Sequence, residues 1–378
     1  MPLLLADGGA SLFVLTLFNA LTEGSTYALI AVGYTMVYGI VRLINFAHGE
    51  VYMIGAVTAW WLFVTPQVPL WLALPLAMGL CAALGWLLDR VAYRPLRKST
   101  RLAALITAIG MSLILQTLVQ LIINPNFHSF PEVSRARAKS DGTIARAAPS
   151  HDAPQVAVLN AGVEPPVWLD VAPQEGWVPV AWTRAGAKAP EVAWITAENV
   201  AVKQGLPSFL NANLLGAGDV KLPVKDVLIW VAAAAMMTGL HLLVQRTRLG
   251  KAMRACALDQ TTAALMGIDV NRVIAATFMI GSAMAAVAGV LYSVRVGGNI
   301  SFRMGYYPGV IAFAAAVLGG IGNLKGALLG GLLLGFAKAF FATYAWSEYD
   351  FAFCFSVMIG VIIFRPYGLL GRPSSVRA

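Results

Sequence analysis

The residues able to do chemistry in this chain are few and scattered. Its four histidines, His48, His128, His151 and His241, are too far apart for the i, i+4 pairing of a helical HExxH zinc site. No carboxylate pair recurs at i, i+3 or i+4 inside an apolar run, so metal-assisted or acid–base catalysis has little support and no metal site is expected. No GxxxxGK[ST] segment occurs, hence no phosphate-cradling loop of the Walker type; if ATP powers this protein, another subunit binds it. The three cysteines, Cys81, Cys256 and Cys354, form no CxxC pair and none lies in the long polar segment 124–225, which excludes a disulfide framework or cysteine metal site. The best nucleophile and base for an intramembrane hydrolase are Ser25 and His48, a thin basis for an enzyme.

More informative are polar residues in apolar surroundings. Asn45, His48 and Glu50 lie in the stretch RLINFAHGE, residues 42–50, between two apolar runs. An ionisable group at mid-bilayer costs a few kcal/mol even on the lenient insertion scale, so these three either line a buried or watery site or form a solvated turn whose Arg42 and Glu50 mark the membrane boundary. Glu23, in LTEGSTYAL with Ser25 and Thr26, either contacts a permeant or caps the outer end of its helix. Lys338, inside a later apolar run, is expected to snorkel or to face a partner subunit.

The elements that must position these groups follow from composition. Of 378 residues, 58% are hydrophobic and 12% charged, about half the charge of an ordinary soluble chain at roughly 25%. Apolar runs at 11–40, 47–64, 69–89, 102–123, 226–245, 273–293, 306–321, 326–344 and 351–364 predict an all-α polytopic integral membrane protein with eight or nine transmembrane helices. The first run is long enough to bend at Gly33 or Gly39, and the seventh short enough to be re-entrant. The net charge of +9 is no nucleic-acid footprint, because its basic residues sit in short breaks: Arg90 to Arg101, Arg246 to Arg272, and Arg365, Arg372 and Arg377. The positive-inside rule makes these cytoplasmic, and nine crossings then put the N-terminus outside and the C-terminus inside. The first thirteen residues have no basic n-region or small-residue cleavage site, so a removable signal peptide is not expected.

The chain divides into N-terminal helices (1–123), an insert (124–225), C-terminal helices (226–366) enclosing the loop 246–272, and a tail (367–378). The insert holds nine Lys/Arg, nine Asp/Glu, eleven prolines and four tryptophans. Its short alternating pieces, 167–171, 177–182 and 192–195, predict either a small β-rich subdomain or an irregular periplasmic loop, with Pro demoting strands to edges. Residues Arg254 to Gly267 read as one short amphipathic helix. Ala255, Leu258, Thr262 and Leu265 share its apolar face, Gln260 lies on the opposite one, Gly267 stands at the C-cap, and Arg254, Ala255, Leu258, Asp259, Leu265 and Gly267 are the residues expected to couple to a partner. It either docks into a groove on a soluble partner or rests on lipid headgroups. Gly322, Gly326 and Gly330, with Gly281 and Gly289, form small-residue stripes for close helix packing.

These stretches resemble the LivH-type permease of bacterial branched-chain amino acid ABC importers. The matching residues are GSTYALI from Gly24, GYTMVYG from Gly33, INFAHGEVYMIG from Ile44, RVAYRPL from Arg90, the loop from Arg254 to Gly267, AMAAVAGVL from Ala283 and AAVLGGIG from Ala315, in order along about 300 residues. The resemblance implies an inner-membrane subunit that pairs with a LivM-like permease. It implies two cytoplasmic ATPases that use the ATP, and a periplasmic binding protein that delivers a branched-chain, hydrophobic amino acid. The 254–267 segment occupies the position of the importer coupling loop, without the Leu-Pro ending of the general consensus, and residues 131–205 look longer than the family loop. Related permeases carry short amides or urea, the alternative substrates. An ion-coupled secondary transporter is the rival class, but it needs inverted repeats and an embedded carboxylate, and no clear inverted repeat is visible.

Overall fold

In lipid a backbone can satisfy its polar groups only within itself, so the nine apolar runs become helices. A computed structural model of the protein describes residues 8–371 except 44, 124–127, 132–133, 162, 164, 168–173, 175, 184–189, 204, 218–219 and 297–299. In chain order its helices are α1 (Gly8–Val41), α2 (His48–Val64), α3 (Leu70–Leu88), α4 (Arg101–Ile122), α5 (Val224–Arg246), α6 (Arg248–Leu258), α7 (Gln260–Leu265), α8 (Val270–Val296), α9 (Tyr306–Gly319), α10 (Leu324–Tyr344) and α11 (Asp350–Phe364). Among the described residues seven helices are long and apolar enough to cross a membrane. The other two apolar ones are α2, with 17 residues, and α9, with 14. At about 1.5 Å per residue, α9 falls short of a hydrocarbon core of roughly 30 Å.

Helix α1 runs uninterrupted through Gly33 and Gly39. Gly33 serves close approach, facing His48 and Gly281, while a side chain at Gly39 would meet Gly322 only in ordinary contact. Around α1 the seams are built from small residues. Gly24 meets Gly335, Ala28 meets Gly331 and Gly39 meets Gly322, which makes α10 antiparallel to α1. Gly326 packs on Gly319 and Gly330 on Ala315, which makes α9 antiparallel to α10. Gly322 is not part of the helical stripe. It precedes α10 and turns the chain at φ +96°, a left-handed conformation that glycine adopts without penalty.

Helix α2 starts with His48 beside Gly281, near the middle of α8, and climbs along it in the same direction, with Gly55 against Ala286 and Ala56 against Gly289. Because α8 is antiparallel to α1 (Arg295 bonds Asn19; Gly281 meets Gly33) and α9 is parallel to it, α2 and α9 run in opposite directions. Their first turns meet, with Gly49 against Gly305 and Gly309. The entering segments share a pattern, INFAHG at 44–49 and ISFRMG at 300–305. No clear inverted repeat is visible in the sequence, yet among the described residues a long helix followed by a short one occurs twice, α1–α2 and α8–α9, with opposite polarity.

Residues 60–70 and 129–212 form a compact unit of their own. It is β-rich, with a four-stranded antiparallel sheet in the order β3-β2-β5-β4, from β2 (Thr143–Arg146), β3 (Gln155–Leu159), β4 (Trp177–Trp182) and β5 (Glu191–Thr196), beside a ribbon of β1 (Arg135–Ala138) and β6 (Val200–Lys203). Pro179 sits in β4, the edge strand, as the missing N–H requires. Ala136, Ala145, Leu159, Val180, Ala193 and Ile195 make its small core. The expected piece 167–171 lies outside the described residues except Val167, which bridges Val180. The last stretch of the insert, a hairpin of β7 (Asn213–Ala217) and β8 (Val220–Pro223), belongs to the membrane unit. The tail from 372, with Arg372 and Arg377, lies outside the described residues.

Candidate functional site

The polar interruption between α1 and α2 folds into the interior. Arg42 turns the chain at φ +57°, and Asn45, His48 and Glu50 are all buried. Asn45 Oδ1 accepts a 2.7 Å hydrogen bond from the Tyr93 hydroxyl, while its main-chain carbonyl accepts from the His48 N–H at 3.0 Å. The His48 ring lies edge-on to Tyr34, 4.7 Å between centroids, in the notch left by Gly33 and Gly281. A Cβ on Gly33 would overlap the imidazole. The solvated-turn reading is therefore corrected for Asn45, His48 and Glu50, which are buried because α2 begins at the depth of the α8 midpoint, whereas Arg42 stays exposed.

Glu50 stands in the first turn of α2. Its Oε1 accepts from Ser112 Oγ at 3.0 Å and from Gln116 Nε2 at 2.7 Å, both on α4. Its Oε2 lies beside Gly305 and has no hydrogen-bond partner among the described residues. The N-terminal ends of α2 and α9 both carry partial positive charge, and one carboxylate at their meeting point answers both. A cavity of about 210 Å³ opens there, lined by Tyr34, Gly49, Glu50, Gln116, Gly305 and Gly309 among others. Sequence reasoning picked out Glu50 but missed Ser112, Gln116 and Gly305. The available signals were a polar pair at i, i+4 in an apolar span and the repeated hexapeptide.

The other expected path residues are placed elsewhere. Glu23 bonds Lys338 Nζ at 2.9 Å, and the same ammonium reaches Asp350 at 3.1 Å. Lys338 therefore neither snorkels nor waits for a partner; it joins α1, α10 and α11. Thr26 Oγ1 donates to the Thr22 carbonyl within α1 at 3.0 Å, and Ser25 is buried nearby. Ser25 and Gly33, which touches His48, are eight positions apart on one helix, roughly 12 Å at 1.5 Å per residue, so Ser25 and His48 form no nucleophile–base pair. Among the described residues no three His, Cys, Asp or Glu converge on a metal position.

The 254–267 segment is two helices rather than one. Asp259 breaks it in extended conformation and caps α7, accepting from the Thr261 N–H at 2.8 Å and the Thr262 hydroxyl at 2.5 Å. The Thr262 hydroxyl, with the backbone N–H groups of Thr261 and Thr262, holds the Asp259 carboxyl below the usual carboxylate range. Gly267 ends α7 at φ +83°, its N–H on the Ala264 carbonyl and that of Ile268 on Ala263, a Schellman-type stop. The break splits the expected face. Leu258 and Leu265 are each 83% exposed and Met266 79%, whereas Ala255 packs against the core and Arg254 bonds the Val244 carbonyl. Gln260, expected to point away, donates to the Ile40 carbonyl at 2.7 Å and ties α7 to the end of α1.

Residues 16–362 match the family described as branched-chain amino acid transport system / permease component. The chain is 37% identical to the high-affinity branched-chain amino acid transport system permease protein LivH of Escherichia coli K12 over 96% of both chains. It is 38% identical to BraD of Pseudomonas aeruginosa over 94% of this chain and 95% of that one. It also resembles the permease LivM of E. coli K12, 27% identical over 39% of this chain. No solved structure matches.

Proposed function

From the premise that this chain belongs to the branched-chain amino acid transport system permease family, we infer that it is the LivH-like half of an ABC importer's membrane path, carrying branched-chain, hydrophobic amino acids. The observation that carries this is identity over nearly the full length of both chains. The likeness to LivM supports a LivM-like second permease beside it, the two related by ancestry. Two ATPase subunits supply the ATP hydrolysis, and a periplasmic binding protein supplies the substrate. The chain lies in the bacterial inner membrane with its N-terminus periplasmic, its C-terminus and α6–α7 cytoplasmic, as the basic breaks favour.

In this reading Asn45, His48 and Glu50 belong to the translocation path, while Glu23, Ser25 and Thr26 support it through packing. Leu258, Leu265 and Met266 meet the ATPase, the apolar exposed end of a loop otherwise anchored by Arg254, Ala255 and Gln260. Short amides or urea are the alternative cargo, since the binding protein selects the solute. The test is reconstitution of this chain with its partner permease, ATPases and binding protein in liposomes. ATP-dependent uptake of leucine, isoleucine or valine is the expected result; uptake of urea or acetamide instead moves the assignment to the alternative.

A further inference from the structure

A cavity of about 290 Å³ lies between the end of α3 and the start of α8. Gly85 packs on Ser282, and Arg97 donates to Asn271 Oδ1 at 2.6 Å, so the two helices run antiparallel and the last turn of one stands beside the first turn of the other. The wall of the cavity carries Asp89, Arg90, Arg94, Asp269 and Arg272. Both carboxylates are already answered: Asp89 is buried and takes Arg97 at 2.5 Å, and Asp269 takes Arg272 at 3.0 Å. Arg90 and Arg94 are exposed and form no ion pair among the described residues, which leaves the cavity two uncompensated positive charges. The Arg90 guanidinium lies over the Trp86 ring, 5.3 Å from its centroid. Trp86, Leu87 and Val91 are exposed on α3, a span whose residues are mostly unburied by the chain. Tryptophan at the end of such a span sits at the level of the lipid headgroups, and the cation–π contact holds Arg90 at that level. The positive-inside rule accounts for basic residues in this break but not for their convergence on one cavity beside an interfacial indole.

We propose that this cavity holds the phosphodiester of an anionic phospholipid, with Arg90 and Arg94 on the phosphate oxygens and the acyl chains lying along Trp86, Leu87 and Val91. The guanidinium fork matches phosphate oxygens, and basic pockets between membrane helices at this level take anionic headgroups. The volume is just under the ~300 Å³ at which small-molecule pockets begin, room for a headgroup but not for its chains, which stay outside against α3. A zwitterionic lipid brings a cation of its own, which two unpaired arginines disfavour. An acidic surface of a soluble partner would answer the charges but has no use for the apolar rim. The site requires the chain to lie in a bilayer, whatever it carries; that the lipid belongs to the cytoplasmic leaflet rests on the orientation given above.

Two measurements test it, both on the assembled complex and neither dependent on its cargo or on which leaflet the site faces. Native mass spectrometry of the detergent-purified complex, titrated with phosphatidylglycerol or phosphatidylcholine, should show preferential retention of phosphatidylglycerol. Arg90→Gln with Arg94→Gln should weaken that retention at least about tenfold, two arginines near an anionic headgroup being worth more than one factor of ten. Arg246→Gln with Arg365→Gln, which removes the same charge from other breaks, should leave it unchanged. Equal loss in the two double variants, or none in either, overturns the site. Millimolar inorganic phosphate should displace no more lipid than chloride at equal ionic strength; greater displacement makes this a site for a soluble phosphate and overturns the lipid. Loss of the ATPases from the Arg90, Arg94 variant with lipid retention intact gives the surface to that partner instead. The second measurement is hydrogen exchange on the wild-type complex in nanodiscs, and it decides if the double variant fails to assemble. Adding phosphatidylglycerol to phosphatidylcholine should slow exchange in 89–94 and 269–275, and equal rates in both segments overturn the proposal.

Discussion

Lys338 lies within an apolar helix and keeps its charge because Glu23 and Asp350 reach it from two other helices, with side-chain exposures of 15%, 23% and 26%. Removing the cation alone strands two carboxylates. Breaking a buried pair costs roughly 3–5 kcal/mol, and partial exposure here reduces that toward the lower end. Lys338→Met should therefore lower the thermal midpoint of the purified complex markedly, and adding Glu23→Gln with Asp350→Asn should restore most of it. Equal loss in the single and triple variants would show that the pairing is not what the lysine supplies. Asn45 and His48 predict a different pattern. Asn45 holds the Tyr93 hydroxyl and His48 fills the Gly33–Gly281 notch, so each changed to Leu should depress uptake more than the amount of assembled complex. Normal uptake by both would reduce them to packing.

At the scale of an element, the α6–α7 pair separates anchoring from contact. Leu258 is 83% exposed, so Leu258→Glu should leave the fold intact while weakening ATPase docking at least about a hundredfold, if the side chain becomes an unpaired buried charge in the complex. Co-purification of the ATPases is the readout, and full retention would move coupling to the basic break at Arg90 to Arg101. Gln260→Ala, with no exposed contact to lose, should weaken docking by loosening α7 from Ile40. That shows as faster hydrogen exchange in α7, which Leu258→Glu should not cause. The Asp259 cap adds a pH dependence. Its carboxyl titrates lower in the folded chain than in the unfolded one, so its stabilisation is fully present above the ordinary Asp value of about 3.9. It is lost as pH falls through the lower folded value. The protection of α7 amides, taken relative to their intrinsic exchange at each pH, should fall below about pH 4 in the native chain and change much less in Asp259→Asn, which caps without titrating.

For the whole molecule, the β-rich unit is separable by its own ladder. Arg135 and Lys203 are antiparallel partners at the base of the β1–β6 ribbon, so replacing 136–202 by an Asn-Gly turn rejoins ends that already lie side by side. The shortened chain should insert and assemble normally and bind the loaded binding protein more weakly. Unchanged affinity would assign the unit to another partner.

Much of this organisation was legible before any coordinates. Nine apolar runs became nine helices, the insert became β-rich, and Pro179 marked an edge, because hydrocarbon burial, helix length and the missing proline N–H act locally. The ordered motifs identified the family. The paths of buried charges were not legible, because they depend on which helices meet. Lys338 reads as a snorkelling lysine until α11 brings Asp350 to it, and Glu50 reads as a boundary residue until α2 is seen to start inside. The Arg254 to Gly267 periodicity suggests one helix, whereas Asp259 ends it by capping the next, and Gln260 turns inward to a carbonyl 220 positions away in sequence. The inverted pair of short helices hid for the same reason. Its sequence trace is three matched positions in each hexapeptide, and only the packing of Gly49 on Gly305 turns those glycines into a meeting point of two helix ends.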